Sequence, residues 1–340
     1  MRQRGIKRLR EDKGRCLVVT EKHHYEVNHV PIPVPMPHEI VVRNLLVGVN
    51  PVDWKSVEYG FGIHGYPWIN GRESVGVVVT IGDAVKKFGV GSRVLLVSTN
   101  YRDLRTSTFQ EFTVCPEHLA ADVGGMDVSE AIGYGVPLIS AYVALDGLKA
   151  GSGTVLIWGG ASCTGVFLLQ LAKRKGLRVV SIASERSHTY VKSFGADLVL
   201  NRNKILTAED ILSAITEPIV YAIDCIGKES ASLVLQALEL CKHSDHFIPQ
   251  MVCLNASLHS DTVSVRSLNL KKVHENEDYG RQVTLKIEQL IHELKPPKIH
   301  CYSGLENIPS GLGHVKQGHP GKTVVGIEYV DYSSHAHYHK

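Results

Sequence analysis

The apolar residues of this chain follow two different patterns, and the change between them occurs near residue 131. Before that point, short runs rich in Val and Ile are separated by turns that contain Gly, Pro, Asn or Asp. This pattern is typical of a β domain with few helices. It predicts strands at residues 18–20, 39–46, 74–81 and 92–97.

After residue 131, near-continuous apolar runs alternate with stretches of helical periodicity. The runs predict strands at residues 155–160, 178–184, 197–200, 218–225 and 246–254. The stretches between them predict helices at residues 163–175, 188–194, 208–215 and 230–241. Apolar strands that alternate with helices indicate a parallel sheet covered on both faces.

The end of the chain predicts one more helix, at residues 278–293, and then a short β–helix–β unit. We therefore predict an α/β fold in which a Rossmann-type doubly wound parallel sheet is inserted into a β domain. The inserted part is residues 136–294, and the β domain combines residues 1–135 and 295–340. A sequential arrangement of three parts fits the same pattern.

Composition narrows the class of protein. The 340 residues include 37 Lys and Arg against 34 Asp and Glu, and aromatic residues make up 7%. This balance does not favour a nucleic-acid partner. No apolar run approaches the roughly 18 residues that span a membrane, so we expect no membrane association. Seven dispersed cysteines without a C-x-x-C pair indicate reduced thiols and a cytoplasmic protein.

Neither end of the chain is assigned a function. The start, MRQRGIKRLREDKGR, is basic but lacks the apolar segment of a secretory signal. A solvated extension is favoured there over a mitochondrial or nuclear signal. The final SSHAHYHK is rich in histidine and has the composition of an adventitious metal binder or a cloning remnant.

The strongest local motif is VLIWGGASCTG at residues 155–165, where an apolar strand runs through small residues into an amphipathic helix. Small residues let the backbone approach a pyrophosphate, whose charge then lies at the N–H groups that begin the helix. A tight turn without a ligand is the alternative interpretation. The predicted cofactor-binding residues here are Gly159, Gly160, Ala161, Ser162, Cys163, Thr164 and Gly165.

The end of the second strand of this α/β segment indicates which dinucleotide is preferred. A site for NAD usually has an acidic residue there, which holds the ribose 2′-hydroxyl. Here Ser184 and Arg186, which suit a 2′-phosphate, follow the strand, with Glu185 between them as the ambiguous residue. We predict NADPH, bound at its phosphate by Ser184, Arg186, Lys192 and Arg202.

Several motifs occur in order along nearly the whole chain. They are NPVDWK at 50–55, GRESVGVV at 71–78, TFQEF at 108–112, VPLISAY at 136–142, DCIG at 224–227, and a closing segment from GLE to GK between 304 and 322. Together they resemble the medium-chain dehydrogenase/reductase superfamily, in its zinc-independent branch. Within it the chain looks most like fungal toxD-like proteins and trans-acting enoyl reductases of polyketide synthesis, and it is similar to quinone oxidoreductases.

The resemblance implies a GroES-like β domain, with the cofactor in the cleft between the domains. It also implies that no metal is bound. The first zinc-ligating Cys of the alcohol dehydrogenase branch corresponds to Asn50 or its neighbours, and the His corresponds to Arg72, whose guanidinium cannot ligate zinc. The structural four-Cys loop is missing, because residues 101–115 contain a single Cys.

The resemblance places the chemistry on the NPVDWK motif. Lys55 is the predicted oxyanion donor or acid, and Asp53 is its orienting partner. A motif that mainly shapes a loop, with Lys55 solvated, is the alternative interpretation. Tyr59 is a further predicted proton donor, with Tyr66 and Tyr142 as alternatives. The remaining predicted cofactor contacts are Asn50, Pro51, Ser140, Cys225 and Ile226.

The predicted reaction is zinc-independent, NADPH-dependent hydride transfer to an activated carbon–carbon double bond in an enoyl thioester, enone or similar compound. Quinone reduction is the closest alternative, and a nucleotide-binding protein with little turnover is another. We expect a small-molecule or carrier-bound acyl substrate. Monomer and homodimer both remain open, and residues 246–254 or 263–273 are the predicted edge strands for a homodimer.

Overall fold

The computed structural model describes residues 13–97, 100, 102–148, 153–241 and 247–327. Within these residues the chain divides into two compact units. The first contains the residues up to Val136, Lys271–His292 and those from Lys298 onward, and the second contains Pro137–Leu270 and Glu293–Pro297. The basic start as far as residue 12 and the histidine-rich end lie outside the described residues.

The strands are β1 (Lys13–Glu21), β2 (His24–Pro31), β3 (Glu39–Val49), β4 (Trp68–Ile69), β5 (Glu73–Ile81), β6 (Arg93–Val97), β7 (Phe112–Pro116), β8 (Ala120–Asp122), β9 (Thr154–Trp158), β10 (Arg178–Ala183), β11 (Leu198–Asn201), β12 (Ile219–Asp224), β13 (Gln250–Cys253), β14 (Ser264–Ser267), β15 (Ile299–Ser303) and β16 (Lys322–Gly326). The helices are α1 (Pro51–Tyr59), α2 (Val128–Ala131), α3 (Gly135–Ala144), α4 (Cys163–Arg174), α5 (His188–Ser193), α6 (Ala208–Leu212), α7 (Lys228–Leu240), α8 (Lys271–Glu275), α9 (Glu277–Leu290) and α10 (Ile308–Lys316). No helix in the described part of the chain combines the length and the apolar character needed to cross a membrane.

The first unit is built on two sheets. The larger has the strand order β15–β16–β3–β5–β6–β8, with β7 also paired to β3, and the smaller has the order β2–β1–β4. Most residues of β3 are buried, and so are the first four residues of its neighbour β5. This sheet holds the start of α1 in place, because α1 follows β3 after a single residue.

The end of the chain completes the sheet that the first residues begin. β16 pairs antiparallel with β3, with Thr323 opposite Val49, and β15 pairs parallel with β16. This pairing confirms the predicted insertion of a parallel-sheet segment into a β domain. It excludes the sequential arrangement.

One segment differs from the predicted domain bounds, which were 1–135 with 295–340 and 136–294. Residues Lys271–His292 belong to the first unit. The reason is that α9 packs on β8, where Glu288 Oε1 accepts a hydrogen bond from the N–H of Asp122 at 2.7 Å. The prediction assigned these residues to the inserted part because they follow its last strand in the sequence, and the sequence order does not show this contact.

The second unit is built on a parallel sheet in the order β11–β10–β9–β12–β13–β14. Every residue of β9 is buried, and both α4 and α7 pack against this strand. A strand covered in this way needs a continuous apolar run, which is the pattern that predicted it. Because the strands are parallel, the carboxyl ends of β9, β10, β11 and β12 share one edge of the sheet.

The predicted strand at 246–254 is shorter than expected and is not an edge. It is limited to β13, which pairs with β12 on one side and β14 on the other, and residue 246 lies outside the described residues. β14 ends the sheet instead. Of the two predicted edges, the one at 263–273 remains available to a homodimer, which stays a prediction.

The sequence pattern did not predict β2 or α1. Most residues of β2 are exposed, so this strand lacks an apolar alternation. Helix α1 does carry start signals, an N-cap Asn50 followed by Pro51, although it lies in the region predicted to contain few helices.

Candidate active site

The glycine-rich segment between β9 and the first turn of α4 has no room for a side chain at its three glycines. Gly159 has a φ of 91°, a conformation that favours glycine. A Cβ on Gly160 would lie 2.1 Å from Ser181 Oγ, and a Cβ on Gly165 would lie 2.3 Å from the carbonyl oxygen of Gly159. The turn therefore presents backbone to any group that lies over it.

Helix α4 begins at this turn with a side-chain cap. Ser162 is the N-cap residue, and its Oγ accepts a hydrogen bond from the N–H of Gly165 at 3.0 Å. The N–H groups of a first helical turn have no earlier helical carbonyl to bond, and they carry partial positive charge. Ala161, Cys163 and Thr164 are half-buried at the same point, so the predicted residues of this segment lie together.

The end of β12 lies against the same turn. A Cβ on Gly159 would meet Cys225 Cβ at 3.1 Å and Ile226 Cδ1 at 2.8 Å, so these predicted residues are brought together. Burial raises the pKa of the Cys225 thiol, which makes it a poor nucleophile. Asp224, which was not predicted, shapes this strand end: its Oδ1 accepts hydrogen bonds from the N–H groups of Ile226 at 3.0 Å and Gly227 at 2.9 Å.

The predicted phosphate-binding residues divide into two groups. Ser184 and Arg186 follow β10, and Arg202 follows the neighbouring strand β11, so these three lie at one edge of the sheet. The carboxylate of Glu185 accepts a hydrogen bond from Asn201 Nδ2 at 3.0 Å. Lys192 is exposed further along, on α5.

Ser140 is the remaining predicted cofactor residue of the second unit. It lies in α3 and is 4% exposed. Burial of this kind suits a packed helix serine as well as a cofactor contact, so its role stays a prediction.

In the first unit, the NPVDWK motif forms the start of α1. The N–H of Asn50 donates to Asp53 Oδ2 at 2.8 Å, and Pro51 is the first helical residue. Asn70 Nδ2 donates to the carbonyl oxygen of Asp53 at 2.9 Å. The hydrogen bond from Asn50 to Asp53 and the added amide of Asn70 hold the start of the helix in place.

Four charged side chains are buried around this helix start and form what we call the buried charge cluster: Asp53, Arg72, Glu73 and Lys322, none more than 2% exposed. Lys322 forms an ion pair with Glu73, and its Nζ donates to Asn50 Oδ1 at 2.7 Å. Asn50 Nδ2 donates in turn to Glu73 Oε1 at 2.7 Å. The formal charges of the four side chains cancel, so their burial together is compensated. Burial of any one of them without the others would leave an uncompensated charge.

Within the cluster, the carboxyl group of Asp53 is buried with incomplete hydrogen bonding. Burial raises the pKa of its carboxyl group to about 6, although the positive charges of Arg72 and Lys322 oppose the shift. Its Oδ1 has no hydrogen-bond partner among the residues that the structure describes. The Asp53 carboxylate therefore costs free energy when it ionises.

We expect Asp53 to make stability fall as pH rises between about 4 and 6. In that window the folded protein keeps a proton on Asp53, with a pKa of about 6, that the unfolded chain, with a pKa of 3.8, has released. Relative to Asp53→Asn, the wild-type free energy of unfolding should fall by up to about 3 kcal/mol between pH 4 and pH 7. Urea unfolding of both proteins across this range measures the difference. Parallel curves would contradict the raised pKa.

The role of Lys55, the first of the predicted catalytic residues, stays a prediction. Lys55 is half-buried on α1, burial lowers its pKa, and its Nζ lies 5.7 Å from the centre of the Trp54 ring. Tyr59 ends the helix at 72% exposure, with its ring 6.1 Å from Trp54, and Tyr66 is 45% exposed. Tyr142 lies in the second unit. The exposure of Tyr59 fits a surface ring better than a proton donor, so its role stays a prediction.

The position that would hold a zinc ligand does not fit zinc. The guanidinium of Arg72 donates hydrogen bonds to the carbonyl oxygen of Gly71 and to Asn70 Oδ1, both at 3.2 Å. A guanidinium has no lone pair to offer a metal. Across the described ranges, no group of three or more His, Cys, Asp or Glu side chains is arranged to hold a metal ion.

Arg72 was predicted only as the residue in the place of a zinc-ligating His, and the cluster members Glu73 and Lys322 were not predicted as site residues. Glu73 and Lys322 both lie in the family motifs given above. The sequence feature that could have indicated them is a charged residue next to an apolar strand, in ESVGVVV for Glu73 and in KTVVGI for Lys322. Such residues are usually solvated strand ends. The two residues meet because β16 and β5 pair with opposite edges of β3.

Comparison with known proteins agrees with this architecture. A family model described as the alcohol dehydrogenase GroES-like domain matches residues 36–145, and one described as zinc-binding dehydrogenase matches residues 163–273. The chain is 29% identical over 305 residues to the trans-enoyl reductase himH of Aspergillus japonicus. The aligned region covers 84% of this chain and 89% of that protein.

Solved structures show the same fold. An alcohol dehydrogenase superfamily protein from Novosphingobium aromaticivorans superimposes with a TM-score of 0.82 at 20% identity, over 93% of this chain and all of that one. A quinone oxidoreductase of Pseudomonas syringae pv. Tomato gives 0.78 at 19% identity, over 92% of this chain and 99% of that one. With the ordered motifs and the inserted parallel sheet, these matches show that the chain belongs to the medium-chain dehydrogenase/reductase superfamily.

Proposed function

We propose that this oxidoreductase is an NADPH-dependent enoyl reductase that transfers hydride to an activated carbon–carbon double bond without zinc. The observation that carries the proposal is the pair of sites described above. A glycine-rich turn that presents backbone at the start of a helix lies in one unit, and a guanidinium, Arg72, occupies the place of a metal ligand in the other. The similarity to a trans-enoyl reductase supports the substrate class.

NADPH fits the second unit. Its pyrophosphate would lie over the backbone of Gly159, Gly160 and Gly165 at the start of α4, with Ala161, Ser162, Cys163 and Thr164 completing the turn. Its 2′-phosphate would lie at the edge formed by Ser184, Arg186 and Arg202. When bound, the cofactor would supply a hydride from its nicotinamide ring.

The residues of the first unit would handle the proton. Hydride addition at the β carbon of an unsaturated carbonyl leaves an enolate, whose oxygen needs a positive donor and whose α carbon needs a proton. Lys55 Nζ is our candidate for both tasks, because burial has already weakened its hold on the proton. Asp53 acts through the helix cap rather than by touching substrate, so we assign it a positioning role.

We expect Gly165→Ala to weaken dinucleotide binding. The added Cβ would lie 2.3 Å from the Gly159 carbonyl oxygen and 2.7 Å from Gly160 Cα, and both are backbone atoms. The turn must move to relieve this overlap, at a cost of about 1–3 kcal/mol, which corresponds to a Kd for NADPH that is about 5- to 150-fold weaker if the cost falls on the bound geometry. Isothermal titration measures the Kd. Gly313→Ala, whose Cβ would meet nothing within 4 Å, is the matched control and should bind as the wild type does.

The proposed function is tested by binding and turnover measured on the same purified protein. NADPH and NADH are titrated while nicotinamide fluorescence is followed, and each is then supplied with a crotonyl thioester, a cyclic enone and a benzoquinone. We expect tighter NADPH binding and faster reduction of the thioester or enone. Reduction of the quinone alone would favour the quinone reductase alternative, which the structural similarity also supports. Binding without turnover would identify a nucleotide-binding protein, and no binding would overturn the proposal.

Several features of the proposed enzyme remain proposals of the same kind. They are a cytoplasmic location, a substrate presented by an acyl carrier as in polyketide synthesis, and a homodimer formed along the edge strand β14. The carrier form is distinguished by comparing one enoyl group on a carrier protein and on a small thiol. A markedly higher kcat/KM for the carrier form would support it.

A further inference from the structure

Asn201 ends β11 and lies beside the strand end that decides dinucleotide preference. Its register partner across the parallel ladder is Ala183, the last residue of β10. Ser184, Glu185 and Arg186 follow immediately. The side chain of Asn201 therefore lies within reach of the segment proposed to hold the 2′-phosphate.

The two ends of the Asn201 amide have separate partners, and these fix its orientation. Oδ1 accepts a hydrogen bond from the N–H of Asn203 at 3.0 Å and caps the short 3-10 turn Arg202–Lys204. Because the oxygen is committed to that cap, the amide nitrogen faces the other way. There Nδ2 donates to Glu185 Oε2 at 3.0 Å.

The partner of this amide is the residue that would oppose NADPH. A carboxylate at the end of the second strand accepts a hydrogen bond from a ribose 2′-hydroxyl and repels a 2′-phosphate. Glu185 has the charge for that role and lies two residues beyond the end of β10, but it is exposed and is bonded to Asn201. Its charge is thus tied to β11 rather than left to occupy the phosphate position.

We propose that Asn201 is a specificity-determining residue, which restrains Glu185 and so lets the strand end accept the 2′-phosphate of NADPH in preference to the 2′-hydroxyl of NADH. This inference rests on the proposed function, because it assumes that the protein binds a dinucleotide at this edge. It assigns a task to Asn201 that the glycine motif and the basic residues do not reveal.

The test uses the substitution Asn201→Ser in the full chain. Serine is a good cap residue, so the turn after β11 keeps an oxygen acceptor, but its hydroxyl is too short to replace the amide donor to Glu185. Exposed charge interactions of this size change a Kd by up to about fivefold. We expect the NADPH Kd to rise and the NADH Kd to hold or fall, so that the preference for NADPH drops about three- to fivefold.

A double-mutant cycle isolates the coupling. With Glu185→Gln in place there is no charge to restrain, so Asn201→Ser should leave the ratio of the two Kd values unchanged. Glu209→Gln, an exposed carboxylate on α6, controls for the change in net charge. Isothermal titration with NADPH and NADH supplies the four Kd pairs of the cycle.

The outcomes separate this inference from the proposed function. A wild type that prefers NADPH, with the ratio unchanged in Asn201→Ser, overturns the role of Asn201 alone. An equal loss of preference with and without Glu185→Gln also overturns it, because Asn201 would then act independently of Glu185. A wild type that binds neither dinucleotide, or prefers NADH, overturns the proposed cofactor and this inference with it.

Discussion

Replacing Lys322 with methionine should lower the free energy of unfolding by about 3–5 kcal/mol, because it leaves a buried carboxylate without its cation. Glu73 is fully buried, and Lys322 is its ion-pair partner at 1% exposure. The amide of Asn50 would remain as a donor to Glu73, but a neutral donor does not balance a full charge. Urea unfolding at neutral pH measures the loss, and methionine keeps the length of the side chain.

A control lysine and a double variant make this prediction specific. Lys316 pairs with Glu58 at 2.8 Å but its side chain is 53% exposed, so Lys316→Met should change stability little by comparison. Removing both buried charges, with Glu73→Gln and Lys322→Met together, should recover much of the loss, since no uncompensated charge remains. Equal stability of Lys322→Met and Lys316→Met would contradict a charged pair in the core.

The sequence predicted the elements that depend on local pattern. β9 and α4 were predicted to within a residue or two, because a fully buried strand needs a continuous apolar run and the helix carries a Ser162 cap. The return of the chain to the first sheet was predicted as well, but only as one of two arrangements. Deciding between them required the pairing of β16 with β3, which no local pattern contains.

The buried charge cluster shows why the rest of the candidate site was not predictable. Its members come from residues 53, 72, 73 and 322, and no spacing rule connects the first three with the last. A lysine at the start of a strand is usually solvated. Lys322 is buried because β16 lies next to β3, where its ammonium reaches the carbonyl oxygen of Val49 as well as Asn50.

Replacing Lys55 with methionine should lower kcat by about 10²–10⁴-fold, the usual contribution of a positioned proton donor. The binding of NADPH should change little, because the proposed nucleotide residues lie in the second unit. Steady-state reduction of an enoyl thioester measures kcat, and isothermal titration measures the Kd. Since burial lowers the pKa of Lys55, wild-type activity should fall on the alkaline side at a pH below the ordinary 10.5 of a lysine.

Two further variants distinguish a specific catalytic role of Lys55 from a general effect of positive charge near the Trp54 ring. Lys316 also places its ammonium near the Trp54 ring, at 5.4 Å against 5.7 Å for Lys55, so Lys316→Met removes a matched charge and should retain activity. Lys55→Arg keeps the positive charge but gives up a proton far less readily. Recovery of activity in Lys55→Arg would mean that Lys55 stabilises the oxyanion, whereas continued loss would mean that it delivers the proton. If Lys55→Met turns over as fast as the wild type, neither task belongs to Lys55, and the proton donor must be sought among Tyr59, Tyr66 and Tyr142.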